Sequence, residues 1–128
     1  MKSCLIVDDS KVVRKVARRI LEDLHFDIEE AADGKLAMEA CLKHMPDVIL
    51  LDWNMPVMNG LEFLHALRGT AGGDAPVVVF CTTENDLAHI QQAIGAGANE
   101  YIMKPFSKQA VAEKLLLMGF DLPQRDHA

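Results

Sequence analysis

The chain has little from which to build a disulfide scaffold, a zinc centre or a membrane span. Cys4, Cys41 and Cys81 are odd in number, far apart, and offer no Cys-x-x-Cys spacing. They read as small buried hydrophobes in a reducing compartment. Asp8 cuts off the short apolar start Cys4–Val7, too early for a signal peptide, and Pro76–Cys81 falls far short of a membrane-spanning length. A cytoplasmic protein without membrane insertion is expected. Basic residues are also scarce: 13 Lys and Arg stand against 19 Asp and Glu, a net charge of -6. That balance argues against a nonspecific binder of nucleic acid or of anionic membranes. The five histidines, His25, His44, His65, His89 and His127, show no ligand spacing and read as surface residues. With no repeats, low-complexity runs or linkers, the 128 residues read as one domain over 1–119 with a short tail at 120–128.

What the chain does have is alternation. Ser3–Val7 reads as a buried strand. Val12, Val13, Val16, Ala17, Ile20, Leu21 and Leu24 then recur at helical spacing behind a Ser10 N-cap, with Arg14, Lys15, Arg18 and Arg19 on the opposite face. Asp27–Ala31 is a second strand, and Asp33 caps a helix that ends near His44, before Pro46. The unalternating run Val48–Leu51 is a third strand, buried on both faces and ending in Asp52. A third helix is expected over Met58–Arg68, a flexible surface loop over 69–76, and a fourth strand over Val77–Cys81. A fourth helix over Asn85–Gly95 should bury Leu87, Ile90 and Ile94. A short strand, Glu100–Met103, precedes a last helix capped by Ser107, running to Met118 and stopped by Gly119. Five strand–helix pairs imply an α/β fold, a doubly wound five-stranded parallel sheet between helices, with ligands beyond the carboxyl ends of the strands.

Those ends carry chemistry. Strand one delivers Asp8 and Asp9, strand three Asp52, strand four Thr82 and Thr83, and strand five Lys104 and Pro105. Gathered carboxylates raise one another's pKa values unless a cation lies among them. An oxygen-only donor set that keeps waters suits Mg²⁺. A carboxylate there can be a nucleophile towards phosphorus, with Lys104 and the Thr82 hydroxyl to meet the phosphoryl oxygens.

The motifs VDDS at 7–10, LLDWNMPVMNG at 50–60, FCTTEN at 80–85 and EYIMKPF at 100–106 resemble the receiver domains of two-component response regulators, over about residues 2–118. The resemblance implies a flavodoxin-like fold with strand order 2-1-3-4-5. It implies Asp52 as phosphoacceptor, and Mg²⁺ held by Asp8, Asp9, Asp52 and the backbone carbonyl of Asn54. Lys104 would contact the phosphoryl group, Thr82 and Tyr101 would switch together, and the Lys104–Pro105 bond would be cis. WNMP after Asp52, with Glu84 two places beyond Thr82, is most similar to chemotaxis regulators of the CheY type. Asn54 and Glu84 at those positions imply a short-lived phosphoryl group. Asp86 and Leu87 depart from the basic residues of motor-binding relatives, which leaves the output partner open.

The implied partners are a histidine kinase or phosphotransfer domain, and a protein target bound through helix 4, strand 5 and helix 5, including His89, Gln92, Tyr101 and Lys108. The resemblance further implies a stand-alone receiver, monomeric when unphosphorylated, that turns over no separate substrate. A phosphorelay shuttle or phosphate sink is the alternative within signalling. A haloacid-dehalogenase-type phosphatase would need an acid two residues after the nucleophile, where this chain has Asn54. The basic stripe Arg14–Arg19 reads as a solvated face rather than a docking site, GAGANE at 95–100 lacks the third glycine of a dinucleotide fingerprint, and Met55, Met58 and Met103 read as gap-fillers.

Overall fold

A computed structural model describes residues 1–83 and 87–123. Five strands, β1 (Ser3–Val7), β2 (Asp27–Ala31), β3 (Val48–Asp52), β4 (Val77–Thr82) and β5 (Glu100–Met103), pair in parallel in the order β2-β1-β3-β4-β5. Between and after them run α1 (Lys11–Asp23), α2 (Gly34–Lys43), α3 (Gly60–Arg68), α4 (Leu87–Gly95) and α5 (Lys108–Leu117).

The lack of alternation in β1, β3 and β4 follows from burial on both sides. Leu5, Val7, Ile49, Leu51, Val78 and Phe80 meet α2, α3 and α4 through Ala37, Cys41, Phe63, Leu64, Leu67 and Ala93. Their neighbours Cys4, Ile6, Val48, Leu50, Val79 and Cys81 meet α1 and α5 through Ala17, Leu21, Val111 and Leu115. All three cysteines are free and buried; burial pushes the Cys41 thiol up to about 11 and Cys81 to about 12, so neither is a thiolate at neutral pH. The edge strand β2 keeps Glu29 and Glu30 exposed, charges that discourage pairing with another sheet.

Caps fix the helix ends. Ser10, Asp33 and Ser107 accept from the backbone N–H groups of Val13, Leu36 and Ala110. Gly119, at φ 90°, closes α5: the Phe120 N–H reaches the Leu115 carbonyl and the Gly119 N–H that of Leu116. Beyond it Phe120 meets Phe26 edge-on at 5.8 Å, and Leu122 packs against the core, so part of the tail is seated on the domain.

Several local expectations give way. α3 begins at Gly60 because Asn59 and Glu62 form a capping box, each side chain bonded to the other's backbone N–H. β4 runs on to Thr82, which pairs with Met103. The expected start of α4 at Asn85 lies outside the described residues. That helix buries Ala93 and half-buries Ile90, while Leu87 and Ile94 stay exposed, because its sheet-facing side is turned by about one residue's step of 100° from the stripe they form. Val12 and Val16 likewise fall outside the buried side of α1, which is centred on Ala17 and Leu21. Met103 is exposed, and His89 is half-buried rather than on the surface.

The segment 69–76 is not a loose loop. Arg68 donates to the carbonyls of Gly73 at 2.8 Å, Pro76 at 2.9 Å and Gly97 at 2.7 Å, and to Asn99 Oδ1 at 2.9 Å. One guanidinium thus ties the α3–β4 and α4–β5 connections together. Among the described residues no helix is long and apolar enough to cross a membrane.

Candidate functional site

Parallel strands end on one edge, so β1, β3, β4 and β5 bring their terminal residues to a common rim. The carboxylates of Asp8, Asp9 and Asp52 each place an oxygen within 4.8 Å of the others. Asp8 is buried, Asp52 half-buried and Asp9 exposed. Lys104, at the end of β5, sends its ammonium between two of them: Nζ donates to Asp8 Oδ2 at 2.8 Å and to Asp52 Oδ1 at 2.9 Å. Burial pulls this ammonium down, and the hydrogen bonds to Asp8 and Asp52 outweigh it, holding Lys104 above its ordinary value.

Asp52 is raised above the usual carboxylate range, chiefly by burial; the Lys104 hydrogen bond opposes this, the Asp8 charge adds to it, and the Lys104 charge and the Trp53 backbone pull it down. Three carboxylates against one ammonium leave negative charge on the rim that a divalent cation would balance. The donors are all oxygen, partly buried and open on the Asp9 side, a set that fits Mg²⁺.

Local backbone holds this geometry. Asp8 Oδ1 accepts from the Ser10 N–H at 2.9 Å, and the Asp8 carbonyl accepts from Arg14 Nη1 at 2.7 Å. Arg14 is therefore not merely part of a solvated stripe. It also pairs with Glu30, as does Arg18, at 3.0 and 2.6 Å. Below Asp52, the Gly60 N–H donates to the Trp53 carbonyl at 2.8 Å, and the Met58 N–H to the Pro56 carbonyl at 2.7 Å around Val57, whose φ is 68°.

Thr82 is buried, its hydroxyl donating to the Thr83 carbonyl at 3.1 Å, and its own carbonyl accepts the Lys104 N–H at 2.6 Å. The Lys104–Pro105 bond is cis. Tyr101 stands one strand away from Phe80, half-buried, with Lys114 Nζ 4.7 Å from its ring centroid. Asn54 is exposed on the loop after β3, and Glu84 lies outside the described residues.

Two contributors escaped sequence reasoning. The Arg14 bond to the Asp8 carbonyl needs the turn from β1 into α1. The rings of Phe80 and His89 around Trp53 come from β4 and α4, and no local spacing announces them.

A sequence model of the response regulator receiver domain matches residues 4–116. The chain is 39% identical over 113 residues to a chemotaxis protein CheY homolog of Campylobacter jejuni, with 87% of each chain covered. It is 37% identical over 113 residues to chemotaxis protein CheY1 of Helicobacter pylori, covering 87% of this chain and 91% of that one. Among solved structures, the chemotaxis protein CheY4 of Vibrio cholerae superposes with a TM-score of 0.86 at 34% identity, covering 91% of this chain and 98% of that one. With the acidic rim, the bridging Lys104 and the strand order, these likenesses agree: the chain belongs to the response regulator receiver domain family of two-component signalling, and within it to the CheY type.

Proposed function

We propose that Asp52 accepts a phosphoryl group and that its gain and loss switch a binding surface. The observation that supports this best is Lys104 Nζ shared between Asp8 and Asp52, at 2.8 and 2.9 Å, beside a third carboxylate. An Asp52 oxygen attacks the phosphorus of a histidine kinase's or phosphotransfer domain's phosphohistidine. The P–N bond breaks, and its electron pair stays on the departing imidazole nitrogen. Burial raises the basicity of the attacking carboxylate. Lys104 then follows the negative charge onto the phosphoryl oxygens, and the Thr82 hydroxyl turns from the Thr83 carbonyl to the same group, with Tyr101 moving in step.

Asp8, Asp9, Asp52 and the Asn54 carbonyl would hold Mg²⁺, which when bound neutralises phosphoryl oxygen charge. Asn54 and Glu84, the residue types at these two positions, tune hydrolysis and keep the phosphoryl group short-lived. The output surface is α4, β5 and α5, read by a protein target in a chemotaxis pathway. No separate substrate is turned over. The domain is 1–119, monomeric before phosphorylation.

The test uses Trp53 fluorescence and intact mass. Mg²⁺ followed by acetyl phosphate should give two successive emission changes and one added phosphoryl group, the second change and the added mass both absent in Asp52→Asn. Unchanged mass in the wild type would overturn the proposal.

A further inference from the structure

Trp53 joins the acceptor to a helix. It follows Asp52 directly in the chain, and its ring is held from two sides. Phe80, buried in β4, meets the indole edge-on with centroids 5.4 Å apart. His89, in the first turn of α4, lies flat against it, with centroids 4.1 Å apart and planes 7° from parallel.

The rest of α4 is lightly seated. Among the described residues of the helix Ala93 is the one that is fully buried, and Leu87 is 71% exposed. An element with so little buried surface is positioned by a few specific contacts. At its far end Arg68 supplies one, donating from Nε and Nη2 to the Gly97 carbonyl at 3.1 and 2.7 Å. Near its start the ring pair supplies another.

We infer that the stacked Trp53–His89 pair is the mechanical link from Asp52 to α4, with His89 a positioning residue and the Arg68–Gly97 clamp its pivot. A phosphoryl group on Asp52 changes the size and charge of the group at the residue directly before Trp53. Phe80 is fixed in a close-packed sheet and cannot yield. The displacement of the indole therefore passes to the side that can move, where the imidazole covers it. Flat contact over a whole ring transmits a shift that a single methyl group would not. The inference rests on Asp52 being the phosphoacceptor.

The measurement is hydrogen exchange of the α4 amides, 87–95, with and without acetyl phosphate and Mg²⁺, scaled to the phosphorylated fraction found by intact mass. In the wild type, α4 exchange should change on phosphorylation. His89→Ala should lose most of that change, about two- to tenfold, the span over which an aromatic pair shifts an equilibrium. His89→Phe, which keeps a flat ring, should restore it. A phosphorylated His89→Ala chain whose α4 responds as the wild type does, or failure of His89→Phe to restore the response, overturns the inference alone. Absence of phosphoryl on the wild type overturns the reading of Asp52 and the inference with it.

Discussion

A Cβ on Gly60 would come within 2.2 Å of the Asp52 carbonyl oxygen. The start of α3 is thus pressed against the backbone of the residue that carries the candidate acceptor. The contact is backbone on backbone, so no side-chain rotation can relieve it. Gly60→Ala should push the 52–60 loop outward and destabilise the domain by about 1–3 kcal/mol, the usual cost of overpacking. Urea denaturation reads the loss, and phosphorylation by acetyl phosphate should slow in parallel. Wild-type stability in the variant would show that the loop gives way freely.

Asp52 carries a folded-state pKa above the 3.8 of an ordinary carboxyl, mainly through burial. A raised acid binds its proton more tightly in the folded state, so its ionisation costs stability as pH rises from 3.8 through the folded value, and the cost persists at neutral pH. Asp52→Asn removes it. The variant should be more stable than the wild type at pH 7 without Mg²⁺ and match it in acid. Mg²⁺ at 100 times its Kd should return about 2.7 kcal/mol to the wild type and less to the variant. Thermal melts with and without Mg²⁺ check both halves, and equal Mg²⁺ responses would count against the acidic rim as the metal site.

Glu30 behaves oppositely. Hydrogen bonding from Arg18, outweighing burial and joined by Arg14, holds its carboxyl below the ordinary 4.5. A depressed acid contributes stability above its unfolded pKa and loses it as pH falls through the lower folded value. Glu30→Gln should therefore lower stability at pH 7 and converge with the wild type in strong acid. Arg18 is 35% exposed, so solvent screening keeps the effect to about 1 kcal/mol or less. Chemical denaturation from pH 2 to 7 should show the two curves meeting at the acid end.

Val57 holds φ 68° with its side chain 77% exposed, so a β-branched residue sits in the left-handed region with little packing in return. Asn adopts that conformation readily. Val57→Asn should stabilise the domain by about 1 kcal/mol, the lower end of the strain of such positions. Equilibrium denaturation measures it, and a destabilised variant would mean that Val57 makes a contact worth more than the strain.

The order of elements and most of the site were legible along the chain for one reason: both depend on short-range pattern. Val48–Leu51, apolar without alternation, can be satisfied only by helices on both sides, and a polar residue closing such a run is delivered to the strand's end. Asp8, Asp9, Asp52, Thr82 and Lys104 are all of this kind, and the order of the motifs carrying them brought the family resemblance with it.

Tertiary packing decided the rest. The rotation of α4 left Leu87 and Ile94 in solvent because helical period specifies a stripe but not which way the helix rolls on its sheet. The capping box at Asn59 outweighed the apolar Met58 as a helix start. Arg68 turned a glycine-rich stretch into a fixed connection, since its acceptors come from two segments that meet only when β4 and β5 pair. The stack of Trp53 on His89 is of the same kind: a ring just beyond β3 and one from α4 lie parallel only after the sheet has set their distance. Sequence alone determined which groups reach the rim, because period and burial act within an element. The structure alone decided what each group touches there, because contacts between elements depend on how whole faces pack.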